Sequence, residues 1–173
     1  MKRQTRQKKK TPPMLRQTTA GILTMAAASA ALLFAAWLTT PVPLVKDAVQ
    51  TELLYVTVYL SRNECVTWHP RSMVDRQTAR AIVDYMADCR ERPTLRPAEE
   101  VLDTRPRMEV HFRTEDIYRE VCLGDWTAAG EETGWAGNQD CTGLAARVLN
   151  AGILMDYISE QIGDGLALPG ENG

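Results

Sequence analysis

Few residues of this chain could do chemistry: two histidines, four cysteines and scattered carboxylates. Cys65 and His69 stand four apart in CVTWH. On a strand, positions 65, 67 and 69 share one face, so a thiol and an imidazole could meet there as nucleophile and base. No third group to orient the imidazole and no oxyanion donor is visible nearby. The expectation is therefore a structural cysteine beside a surface histidine. Paired carboxylates could hydrolyse a sugar linkage. However, Glu99, Glu100, Asp103, Glu115, Asp116, Glu131 and Glu132 all fall in predicted loops and turns, where solvated charge is ordinary. No Gly-x-Ser-x-Gly, phosphate loop or His-Glu-x-x-His occurs. No catalytic residue is assigned, and the chain is read as a non-enzyme.

The cysteines are Cys65, Cys89, Cys122 and Cys141. Their closest spacing, nineteen residues between Cys122 and Cys141, is unlike the close pairs of structural zinc sites. Two disulfides are expected instead, with three pairings open, and neither a metal nor a cofactor. The remaining candidate is a binding loop. Residues 124–143 lack periodicity and carry Asp125-Trp126, Gly134-Trp135 and Asp140-Cys141. Tryptophans are favoured interface anchors, so Trp126, Trp135, Asp125 and Asp140 form the expected binding set. The competing expectation is that both indoles fold back onto the core. A loop this long also signals a missed element.

These residues must be positioned by a small α+β domain. Leu53 to Leu60 (LLYVTVYL) and Cys65 to His69 read as strands. Asp75 is a predicted N-cap for a helix over 76–90 whose apolar face is Ala79, Ile82, Val83, Met86 and Cys89. Glu91 to Pro106, with three prolines, is expected to be an exposed connector. Met108, Val110 and Phe112 alternate with polar residues, and after a turn at Thr114-Glu115-Asp116, Ile117 to Leu123 is the partner strand of a hairpin. Leu144, Val148, Ala151, Met155, Ile158 and Ile162 predict one long amphipathic helix, capped by Thr142 and ended by Gly163. The sum is a mostly antiparallel sheet with two helices on one face. This element order is similar to that of small extracytoplasmic domains in bacterial lipoproteins and single-pass membrane proteins.

What precedes the domain sets its location. Ala20 to Thr39 contains no charged residue, and roughly 20 helical residues cross a bilayer core. Seven of the 20 Lys and Arg lie before it and no acid does, so the positive-inside rule keeps the N-terminus cytoplasmic. The organisation read from this is a basic cytoplasmic tail over 1–17, a transmembrane signal-anchor over 18–40, a linker over 41–52, the domain over 53–163 and a flexible tail over 164–173. Ala20, Thr24, Ala27, Ala31 and Ala35 make a small-residue face that would admit a second transmembrane helix. Beyond residue 40, 22 acids face the remaining 13 Lys and Arg, a net charge of −9, which argues against a nucleic-acid partner.

The leading expectation is a single-pass protein of the bacterial inner membrane whose extracytoplasmic domain binds a protein or envelope ligand. The first alternative is a secreted domain, released by signal-peptide cleavage, with hydrolase or thiol activity. The second is a pilin-like or secretion-apparatus subunit, although no acid appears before Asp47, where pilin helices usually carry an early glutamate.

Overall fold

The computed structural model describes residues 13–61, 64–102, 106–124 and 133–163. Most of the expected basic tail and all of the expected C-terminal tail lie outside them. The chain divides into two units, 1–38 and 39–173.

The first unit holds one helix, α1 (Pro13–Thr39). Within it, Gly21–Thr39 has a mean hydropathy of 1.9 and none of it is buried against protein. It is long and apolar enough to span a membrane, and a signal sequence has the same character.

The second unit is an α+β domain around one antiparallel sheet. Its strands are β1 (Val42–Pro43), β2 (Thr51–Ser61), β3 (Glu64–Trp68), β4 (Arg90–Pro97), β5 (Met108–Thr114), β6 (Ile117–Leu123), β7 (Gly134–Asn138) and β8 (Leu144–Val148). Across the sheet they run β1-β4-β8-β7-β6-β5-β2-β3. The expected hairpin of β5 with β6 forms, and the two earlier expected strands pair with each other as β2 and β3.

Helices α2 (Met73–Asp88) and α4 (Ala151–Ile162) cover one face. Alternate strand residues meet them there: Leu53 and Val56 from β2, Val110 and Phe112 from β5, Val121 and Leu123 from β6. From the helices come the expected Ala79, Ile82, Val83 and Met86, with Leu154, Ile158 and Ile162. The rings of Tyr85 and Tyr157 stack at 3.9 Å between the two helices. Leu44 and Val45, from the expected linker, are also fully buried in this core.

Four local expectations are corrected. The cap of α2 is Ser72, three residues before Asp75: the Asp75 amide donates to Ser72 Oγ and the Ser72 amide to Asp75 Oδ2, a reciprocal box. The connector 91–106 contains β4 and a short helix, α3 (Ala98–Leu102). Its Pro93 and Pro97 are tolerated because β1 pairs only with Arg90 and Glu91, leaving β4 an edge beyond them. The loop 124–143 conceals β7. The expected helix from Leu144 begins as β8, which pairs with β4 and β7. It then turns at Asn150, in a left-handed conformation with φ 55°, into α4. Sheet hydrogen bonds on both sides outweigh a helical spacing in a five-residue stretch.

Candidate functional site

Residues that do not face α2 and α4 line the other face of the sheet. At the β7–β8 end α3 covers it, through Ala98, Val101 and Leu102 packed on Cys122 and Ala145. At the β5–β6 hairpin this face is polar. Strand alternation sends Glu109 and His111 to it while Val110 and Phe112 enter the core. The turn residues Glu115 and Asp116 then fix the register: Thr114 pairs with Ile117, and so His111 stands opposite Glu120 and Glu109 opposite Cys122. The first turn residue, Glu115, adopts a φ of 55°, the left-handed backbone that tight hairpins demand.

The result is a compact cluster. Ligating atoms of Glu109, His111 and Glu120 all lie within 4.8 Å of one another. His111 Nε2 is 3.6 Å from Glu109 Oε2, and His111 is 6% exposed. The Tyr59 hydroxyl donates to Glu109 Oε1 at 2.8 Å, and the Cys122 thiol to Glu120 Oε1 at 3.1 Å. The Tyr55 ring stacks on the His111 imidazole with centroids 4.2 Å apart, and Gln139 Nε2 donates to the Tyr55 hydroxyl. His111 Nδ1 is buried without a hydrogen-bond partner among the described residues.

The electrostatics follow from burial and the carboxylates. Burial pushes Glu109 up, but the bonds from His111 and Tyr59 outweigh it and its net shift is downward. Tyr59 is held well above the usual tyrosine range by burial, then by Glu109. Tyr55 is raised by burial and by Glu120 and Glu109. Burial, followed by Glu120, keeps the Cys122 thiol protonated far into the alkaline range. A thiol so held is a hydrogen-bond donor and a poor nucleophile.

The expected binding set is dispersed. Asp125 and Trp126 lie outside the described residues. Trp135 is half-buried on β7, against the α3 cluster, with the Arg96 guanidinium 5.5 Å from its ring centroid. Asp140 is exposed, and its carboxylate accepts from the Thr142 amide at 3.1 Å and hydroxyl at 2.7 Å. Those bonds hold its pKa below the usual range.

The expected disulfides are not formed: none of the four cysteines is bridged. The topology separates Cys65 and Cys89 from the other two. Cys65 is exposed on β3 at the sheet edge, Cys89 caps α2 on the opposite face from Cys122, and Cys122 is buried beneath α3. Cys141 packs at the margin of the Cys122 cluster without bridging it. The His69 ring lies beside Tyr55, with centroids 5.5 Å apart.

Glu109, His111 and Glu120 were absent from the expected site set. The signal was nevertheless present in the predicted hairpin. The turn was expected over Thr114-Glu115-Asp116; it spans only Glu115 and Asp116, and a two-residue turn there pairs positions whose numbers sum to 231, so 111 opposes 120. No family model, curated protein or solved structure matches the chain.

Proposed function

We propose that this is a single-pass membrane protein with a cytoplasmic N-terminus and an extracytoplasmic, acidic binding domain. The observation that carries the reading is α1: 19 consecutive uncharged, mostly apolar residues, none buried against protein, and the only charged residues before them are basic. The domain supports binding in preference to acyl or thiol catalysis. Its buried thiol is held protonated and bonded to a carboxylate, and the ring contact of His69 is with a tyrosine. The polar cluster on the sheet face opposite α2 and α4 is the place where such a domain would take its ligand. The bacterial inner membrane is the setting that the basic leader and acidic outer domain fit best.

The test is labelling of intact cells expressing the full chain with a membrane-impermeant maleimide, followed by intact mass of membrane and medium fractions. Full-length protein in the membrane, labelled at the exposed Cys65 before lysis, is the expected result. A species in the medium lacking the first forty or so residues would make the apolar helix a cleaved signal. Labelling only after lysis would reverse the orientation.

A further inference from the structure

We propose that Glu109, His111 and Glu120 bind a divalent transition-metal cation of the zinc type on the face of the sheet opposite α2 and α4. This rests on the reading above only in placing the ligand site in the folded domain, since metal binding by the purified chain does not depend on orientation in a membrane.

The geometry is close to what such an ion needs. Two ligands at about 2.1 Å in tetrahedral arrangement are about 3.4 Å apart. His111 Nε2 and Glu109 Oε2 are 3.6 Å apart, and Glu120 offers an oxygen within 4.8 Å of both. Rotation of one glutamate side chain closes the shell. The backbone beneath does not have to move, because all three residues sit in paired strands with His111 directly opposite Glu120.

The cluster also has unused capacity for a cation. Its two carboxylates are bonded to the neutral Tyr59 hydroxyl and Cys122 thiol, and the one imidazole beside them supplies at most one positive charge. Glu120 is 9% exposed, so its charge is largely removed from water. The imidazole is held flat by Tyr55 while Nδ1 finds no partner among the described residues. A buried nitrogen without a partner is uncommon in a folded chain.

The donor set selects the ion. One imidazole and two carboxylates suit zinc and its first-row neighbours, whereas magnesium and calcium prefer oxygen alone and copper(I) prefers sulfur. The glutamate side chain at 109 keeps 19% of its surface exposed, which gives a hydrated ion a route in. Tyr59 and Cys122 become the outer partners that orient the ligating carboxylates. Three protein ligands leave a coordination position for water or for a group on a bound molecule.

The experiment uses the full chain purified in a mild detergent and stripped with chelator. Zinc chloride is titrated in competition with a chromophoric chelator, and cobalt(II) is added separately for its visible spectrum. One equivalent of zinc is expected. Glu109→Gln and Glu120→Gln should each weaken it by more than the about 10-fold to 100-fold typical of losing an outer partner. Cys65→Ser and His69→Ala should leave it unchanged, and the cobalt spectrum should carry no thiolate charge-transfer band. Absence of saturable zinc binding overturns the proposal, as does binding indifferent to both glutamine variants. A thiolate band lost in Cys65→Ser or Cys141→Ser overturns it in favour of a cysteine site. If a glutamine variant fails to fold, the stoichiometry and cobalt spectrum of the parent chain still decide.

Discussion

Arg119 offers the sharpest test of how the sheet is assembled, because it ties together strands distant in sequence. It leaves β6 on the α2–α4 face, where its Nη2 donates to both oxygens of Glu91 on β4, at 3.0 and 2.8 Å. Its Nη1 donates to the Leu44 carbonyl, just after β1, at 2.9 Å. The Glu91 side chain is only 8% exposed. Arg119→Met keeps the apolar stem over Phe112 but strands the carboxylate. Losing one partner of a buried pair costs about 3–5 kcal/mol. Two charge-assisted bonds at about 1.5–3 kcal/mol each give a similar figure. At about 4 °C per kcal/mol for a domain of this size, Tm should fall by roughly 12–20 °C. The double variant Arg119→Met/Glu91→Leu removes the stranded charge and should return to within about 2 kcal/mol of the parent, the remainder being the donor lost by the Leu44 carbonyl.

The pH dependence has a definite sign. Burial raises the Glu91 pKa above its ordinary value, and Arg119 opposes that rise without cancelling it. A carboxyl with a raised folded pKa binds its proton more tightly when folded, so its contribution falls as pH rises from the unfolded to the folded value. Without Arg119 the folded value climbs further and the window widens. The deficit of Arg119→Met should therefore shrink as pH is lowered from 7 toward 5. Urea unfolding of the full chain in non-ionic detergent, followed by tryptophan fluorescence, measures each quantity. A single-variant cost under about 1 kcal/mol, a double variant no better than the single, or a deficit that grows in acid would refute the reasoning.

Two further outcomes follow from the packing. A Cβ on Gly134 would stand 2.6 Å from Ala151 Cβ and 3.0 Å from Val148 Cβ, so Gly134→Ala should destabilise the domain by about 1–3 kcal/mol in the same unfolding assay. In native protein never treated with reductant, a thiol reagent should modify the exposed Cys65 and spare Cys122, which is 2% exposed and held protonated, until denaturant is added; peptide mass mapping reads both sites.

By itself, the sequence determined whatever depends on neighbours along the chain. The uncharged run of α1, the alternation of β2, β5 and β6, and the helical spacing of Ala79, Ile82, Val83 and Met86 each encode their own partition between water and an apolar phase. The β5–β6 hairpin itself was legible, but its register was not: the expected turn included Thr114, whereas Thr114 pairs with Ile117 and only Glu115 and Asp116 turn.

Tertiary structure decided the elements whose local signals were weak or contradictory. β4 carries two prolines and became a strand because β8 supplies its hydrogen bonds along an edge. Leu144 to Val148 has helical spacing and became β8 because it lies between β4 and β7. Cys65 and Cys89 stayed unbridged because the sheet placed one at its edge and the other on the face opposite Cys122; Cys141 packs near Cys122 without bridging it. His111 reads as a surface residue of an alternating strand. It is buried because Tyr55, more than fifty residues earlier, stacks on it across the β2–β5 pairing, and a bulge in β2 just before Tyr55 sets that register. Backbone hydrogen bonds between distant strands, which leave no periodic trace in either strand alone, made these choices.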